Sequence, residues 1–137
     1  MKVYTQGSYE IFKLVHVNFL RRSASYGKVY IGLISDKSFE DYRGYPPINS
    51  FNHRRAVLKS CEYVSWVEET YHNDTKDDLD VLNPDVIAIG TDWVSKDVYK
   101  QWGVTPEMID DKLIYIPYTT DISTTIIKRK VNEANKV

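Results

Sequence analysis

The segment Asp85–Gly90 (DVIAIG) constrains this chain most: a near-continuous apolar run set off by Asn83-Pro84 before it and Gly90 at its end. A run so short and so apolar on every residue reads as a strand buried on both faces of a parallel sheet. Further short runs repeat the theme. Val3–Thr5 is a brief apolar start that stops at Gly7, Lys28–Ser35 (KVYIGLIS) alternates, Val64–Glu68 reads as a short strand, and Lys112–Ile116 (KLIYI) closes at Pro117. Between them lie segments of helical period. His16–Tyr26 places Val17, Leu20 and Ala24 on one face and ends at Gly27, and Ser50–Tyr63 pairs Phe51 with Leu58 and Val57 with Cys61. Thr75–Asn83 reads as a polar helix and Ser95–Trp102 as one stopped by Gly103. Ser123 is placed to cap a last helix carrying Ile127, Val131 and Ala134. Asp36–Asn49, with Gly44, Pro46 and Pro47, reads as a turn-rich loop. Strands separated by single helices need right-handed crossovers. The expected class is therefore α/β: a Rossmann-like, doubly wound, five-stranded parallel sheet with helices on both faces, formed by residues 1–137 as a single domain.

Composition narrows the function. A chain of 137 residues with 42% apolar and 27% charged residues is a globular domain, not a disordered or fibrous one. The net charge of −1 lacks the basic excess of a nucleic-acid binder. Cys61 stands alone, and His16, His53 and His72 do not fall at ligand spacing, which argues against a structural metal site. Asp74, Asp77, Asp78 and Asp80 read as a solvated helix face, because they lack calcium-loop spacing and its glycine. The first twenty residues hold no apolar run longer than two, so neither a signal-peptide core nor a membrane span is expected, and a cytosolic, reducing setting is the default. The 11 Tyr and 3 Trp are many for this length, and such residues favour interfaces.

In a doubly wound sheet, ligands bind beyond the carboxyl ends of the strands, where the strand order reverses. Three segments belong there: Gln6–Val15, Gly90–Trp93 and Tyr118–Thr125. Ile122-Ser123-Thr124-Thr125 before a last helix, Gly90-Thr91-Asp92-Trp93, His53-Arg54 within Ser-Phe-Asn-His-Arg, and Thr5-Gln6-Gly7-Ser8-Tyr9-Glu10 follow one another in order. Together they resemble the small cytidylyltransferases, most closely those that couple CTP to glycerol 3-phosphate. The resemblance implies transfer of CMP from CTP to a small phosphorylated alcohol with release of pyrophosphate, with Mg2+ accompanying CTP in an active member and no cofactor otherwise. It implies His16, Lys13, Ser123 and Thr124 as catalytic positions, and Gly7, Ser8, Arg54, Gly90, Asp92, Trp93 and Thr125 as nucleotide-binding positions.

Departures from the family's motifs cluster around the triphosphate. Lys13-Leu14-Val15-His16 stands where the family has His-x-Gly-His, so a mobile ammonium replaces a fixed imidazole and a branched side chain replaces a glycine. Tyr118 replaces an Arg and Asp121 a Gly, while Tyr45-Pro46-Pro47 occupies a loop in which the family keeps lysines, with Arg43 as the nearest replacement cation. The expectation is an impaired enzyme kept as a binding, scaffold or assembly module; the alternative is a divergent active nucleotidyltransferase. A homodimer, or a larger protein assembly, is expected through a Tyr-rich surface holding Tyr26, Tyr30, Tyr42, Tyr45 and Phe39, with no nucleic-acid or membrane partner.

Overall fold

The computed structural model describes residues 1–71, 74–91, 97–117 and 132. Five strands, β1 (Lys2–Gly7), β2 (Lys28–Ile34), β3 (Val64–Thr70), β4 (Val86–Gly90) and β5 (Leu113–Ile116), form one sheet in the order β3-β2-β1-β4-β5. Every pairing is parallel. The order therefore reverses between β1 and β4. Their register pairs Val3 with Val86 and Tyr4 with Ile87; carried forward, it sets Gly7 opposite Gly90 at the carboxyl ends. β4 is buried along its whole length, as an apolar run covered on both faces requires.

The helices are α1 (Leu14–Ala24), α2 (Asp36–Arg43), α3 (Phe51–Lys59), α4 (Thr75–Leu82), α5 (Val98–Trp102) and α6 (Pro106–Ile109). One face of the sheet packs Val3, Val29, Ile31 and Leu33 against Phe19 and Leu20 of α1 and Leu58 of α3. The other packs Tyr4, Ile87 and Ile89 against Leu79 of α4, Val98 and Trp102 of α5, and Ile109 of α6. Gly27 turns the chain from α1 into β2 at φ 155°, where a Cβ would run into the Met1 carbonyl.

The sequence reading of residues 36–49 needs correction. Their first half is helical. Ser35 caps α2 by accepting a hydrogen bond from the Ser38 N–H at 3.1 Å, and Gly44 ends it in the left-handed region at φ 82°. The proline pair beyond Gly44 carries a strong loop signal, whereas the helix spans only eight residues from cap to cap. Helix α6, with Pro106 in its first turn, is a further element that the sequence periodicity does not signal. The predicted last helix from Ser123 lies outside the described residues.

The expected tyrosine surface divides in two. Tyr26 precedes β2, whereas Tyr42 and Tyr45 follow its far end, and seven residues of strand separate the ends by about 20 Å. Phe39 is buried in the protein, while Tyr42 and Tyr45 are exposed.

Tyr4 reports on packing cost. It sits edge-on to Trp102 with ring centroids 5.9 Å apart, and its hydroxyl is buried with no hydrogen-bond partner. Burial, reinforced by the charge of Asp78, pushes its phenol well above the ordinary range. Removing a buried hydroxyl that makes no hydrogen bond removes its desolvation cost. Tyr4→Phe is therefore expected to raise stability by about 1 kcal/mol, read as a higher urea midpoint. A loss of similar size would contradict the packing described.

Candidate functional site

The loop from Gly7 to Lys13 carries the chain from the switch point of the sheet into α1. Tyr9 takes a left-handed conformation there, at φ 45°, and its ring is buried. Glu10 is turned inward: its carboxylate accepts the Ile48 N–H and its carbonyl accepts the Asn49 side-chain amide, each at 3.1 Å. The next turn lands Lys13 at the N-cap of α1 and His16 on its third helical position.

His16 is held from three directions. Its Nδ1 accepts the Lys13 backbone N–H at 3.1 Å, its ring stacks on Phe12 with centroids 5.8 Å apart, and Tyr9 meets it edge-on at 5.2 Å. A ring nitrogen that accepts cannot carry the proton, so the neutral imidazole is the Nε2–H tautomer. Burial, with the Lys13 ammonium adding to it, pushes the His16 pKa down to about 4. At neutral pH this group is an uncharged donor, and the cation at the helix start is Lys13. No acidic residue occupies the first turn of α1. Helix N-termini present backbone N–H groups without intrahelical partners, so this end favours an anion.

The titration has a stability consequence. Between about 4 and the ordinary 6.5, the unfolded chain binds a proton at this position that the folded chain does not. Stability from this group is thus complete above 6.5 and falls as pH drops toward 4, by up to roughly 3 kcal/mol. Urea midpoints at about pH 7 and about pH 4.5 are expected to differ more in the natural chain than in His16→Gln. Equal differences would remove His16 as the source.

Val15, at the position where the expected obstruction to phosphate falls, is 2% exposed. Its branched side chain is packed into the protein instead of standing in an open cleft.

Arg54 has a different setting from the one the motif implies. Its side chain is 1% exposed and binds inside the fold. Nε donates to the Asn49 carbonyl at 3.0 Å, Nη1 to the Ser8 and Ile34 carbonyls at 2.8 and 2.9 Å, and Nη2 to Asp36 at 2.8 Å. Four of the five guanidinium N–H groups are thereby committed to protein acceptors. The residue ties the carboxyl ends of β1 and β2 to the starts of α2 and α3, so it shapes the floor of the site from beneath. Gln6 adds a second tie, its side-chain amide donating to Thr75 at the start of α4 at 3.1 Å.

Gly7, Ser8, Lys13 and His16 thus lie on one stretch of chain at the carboxyl end of β1, with Gly90 at the end of the adjacent β4. Asp92, Trp93, Ser123, Thr124 and Thr125, with Tyr118 and Asp121, lie outside the described residues. Beside Gly7 and Ser8 a cavity of about 130 Å3 opens between α2 and α5, lined in part by Arg43 and Gln101. Residue-by-residue reading did not anticipate it, because its walls come from a helix read as a loop and from one distant in sequence.

Among the described residues no group of three or more His, Cys, Asp or Glu is arranged to hold a metal ion. The solvated reading of the Asp74–Asp80 carboxylates needs correction at Asp78, which is half-buried and accepts the Thr70 hydroxyl at 2.6 Å. Magnesium in nucleotide sites is held largely by substrate phosphates and water. A metal brought by its substrate asks for no cluster of protein carboxylates. Nor is any described helix long and apolar enough to cross a membrane.

Comparison with known proteins bears on the family and the fold. The cytidylyltransferase-like family model matches residues 4–130. The chain is 29% identical to glycerol-3-phosphate cytidylyltransferase of Bacillus subtilis, over 95% of this chain and 96% of that one. It is 30% identical to FAD synthase of Thermococcus sibiricus, covering 91% and 87%. It is 33% identical to the bifunctional protein HldE of Aliarcobacter butzleri over 98% of this chain, which spans 27% of that longer protein. In fold, it resembles the lipopolysaccharide core biosynthesis protein of Thermoplasma volcanium with a TM-score of 0.71 at 19% identity, covering 88% and 98% of the two chains.

Proposed function

The chain belongs to the cytidylyltransferase-like family, and on that premise we propose that it binds the triphosphate of CTP at the start of α1 while transferring CMP only very slowly. The observation that carries this reading is the pairing of Lys13 with His16 at a helix start free of acidic residues. The ammonium is close enough to depress the imidazole pKa, so a cation and a ring N–H serve the same end of the helix. That supports anion binding. It does not rebuild the two fixed imidazoles and the glycine of the family motif, and positioning is what this reaction needs most.

The chemistry itself is simple. An oxygen of the acceptor phosphate attacks the α-phosphorus of CTP, a new P–O bond forms, the α–β bridge breaks, and pyrophosphate leaves with the electron pair. Magnesium, arriving with CTP, would neutralise charge on the phosphates. The protein's part is to hold both phosphates in line: Lys13 and His16 on the nucleotide side, with Gly7 and Ser8 keeping the backbone close. Asp92, Trp93, Ser123, Thr124 and Thr125 complete the proposed nucleotide contacts by resemblance. Arg54 contributes by fixing the Ser8 carbonyl.

A second reading, an active transferase acting on a small phosphorylated alcohol, is favoured by the cation that Lys13 supplies in place of the family's first His and by Arg43 beside the cavity. In either case we place a homodimer contact at the exposed Tyr42 and Tyr45 instead of across all the tyrosines. Sedimentation should then give twice the 16.0 kDa chain mass, lost in a Tyr42→Ser, Tyr45→Ser chain. A monomer at micromolar concentration would rule the contact out.

For nucleotide binding, CTP with Mg2+ is expected to raise the melting temperature, by a few degrees at saturation, and Lys13→Ala with His16→Ala to abolish the shift. No shift in the natural chain would sink the reading.

A further inference from the structure

The helices on the α4 side of the sheet pack on β1 and β4, through Tyr4, Ile87 and Ile89, and a groove of about 590 Å3 opens beside α4 over β2 and β3. Its size falls in the range of small-molecule sites. Register sets Tyr4, Tyr30 and Trp66 side by side across β1, β2 and β3, so three aromatic residues line one floor. Trp66 is 48% exposed, and its Nε1 donates to the Glu68 carboxylate at 2.7 Å, which fixes a negative charge at the edge of an open ring. From α4 comes Asp78, half-buried and accepting the Thr70 hydroxyl. Burial, and then the charges of Asp74, Glu68 and Asp77, raise the Asp78 carboxyl above its ordinary value. These two carboxylates face one ammonium in the lining, that of Lys2, which donates to the Leu82 carbonyl at 3.1 Å. The groove is therefore short of positive charge. Its floor also holds the Tyr4 hydroxyl, buried without a hydrogen-bond partner among the described residues, on the spot that a side chain at Gly32 would fill. A hydroxyl kept at a desolvation cost, where a phenylalanine would pack as well, calls for a contact from outside the chain.

We propose that this groove binds an aryl amino alcohol in its ammonium form, with the ring on Trp66 and Tyr30, the ammonium between Glu68 and Asp78, and the hydroxyl accepting from Tyr4. Each part of such a ligand meets the group that lacks it. Aromatic faces attract both rings and cations, and Lys59, which does not line the groove, already holds its ammonium 5.9 Å from the Trp66 ring centroid. Gly32 stands in register with Glu68, so the space at the Tyr4 hydroxyl and the carboxylate belong to adjacent positions on neighbouring strands. The same carboxylates repel phosphates. The groove lies toward the amino half of β1, at Lys2 and Tyr4, away from Gly7 and Gly90, so it stands apart from the nucleotide reading.

Titration calorimetry at neutral pH tests this with four probes of matched shape: 2-amino-1-phenylethanol, phenethylamine without the hydroxyl, 1-phenyl-1,2-ethanediol without the charge, and mandelate with the opposite charge. The amino alcohol is expected to bind about tenfold or more tightly than the diol, with no binding of mandelate, and phenethylamine to fall about threefold or more below it. Trp66→Ala and Glu68→Gln, both at exposed positions, should each weaken the amino alcohol by about fivefold or more. Tyr4→Phe should bring the two amines to equal affinity while the chain stays at least as stable, an outcome that a purely structural tyrosine would not give. Saturating CTP with Mg2+ should leave amine affinity within about twofold. No binding of 2-amino-1-phenylethanol at millimolar concentration overturns the proposal. So do equal binding of the diol, unchanged affinity in Glu68→Gln, a preference between the amines that survives Tyr4→Phe, or displacement by CTP. A dimer that Trp66→Ala breaks, with no amine bound by the natural chain, would give the groove to a second copy and overturn it as well.

Discussion

Arg54→Ala is expected to destabilise the fold by roughly 3–5 kcal/mol, the largest effect of any single substitution considered. The side chain is 1% exposed and supplies hydrogen bonds to three backbone carbonyls, Ser8, Ile34 and Asn49. Truncation leaves those acceptors without their donor and a cavity among them. The ion pair contributes less, because Asp36 is 49% exposed and already solvated. Asp36→Asn is accordingly expected to cost about 1 kcal/mol or less. Urea unfolding of both variants makes the comparison. Equal losses would show that charge, and not the carbonyl clamp, is what Arg54 provides; a loss below about 1 kcal/mol for Arg54→Ala would remove the clamp from the account.

The second large effect concerns rate. Rebuilding the motif with Lys13→His, Val15→Gly, Tyr118→Arg and Asp121→Gly is expected to raise pyrophosphate release from CTP at least hundredfold, since one well-placed donor alone is worth about that much. The gain carries a stability cost that the structure locates at Val15. Its side chain is 2% exposed, so replacement by Gly removes buried volume and loosens the first turn of α1. A loss of roughly 2–4 kcal/mol is expected from that position. The rebuilt chain should thus be faster and less stable, measured by coupled pyrophosphate detection and thermal melting. An unchanged rate in a folded variant would mean that the departures do not limit catalysis.

The sheet was legible because its strands carry strong local signals. DVIAIG is apolar on every face that burial in a parallel sheet demands, and KVYIGLIS alternates. The β1–α1–β2 crossover and the switch point followed from element order alone. What local pattern could not reveal was long-range satisfaction of polar groups. Arg54 sits in a motif suited to phosphate, and nothing in its neighbours betrays that Ser8, 46 residues away, and Ile34, 20 residues away, take its donors. Helix α2 was hidden for a related reason: its stability rests on two caps and one buried ring, Phe39, instead of a long periodic face. His16 falls at the start of α1, where its sequence period places it, but its depressed pKa depends on burial against Phe12 and Tyr9, which becomes visible only once the loop is folded.

On the function proposed above, the cytidylyltransferase-like fold keeps an anion-binding helix start while most of its turnover is lost. Pyrophosphate release with CTP, Mg2+ and glycerol 3-phosphate tests it directly, alongside the same assay on His16→Ala. The account predicts release at background in both chains, with CTP still raising the melting temperature of the natural one. A robust rate that His16→Ala abolishes would contradict it.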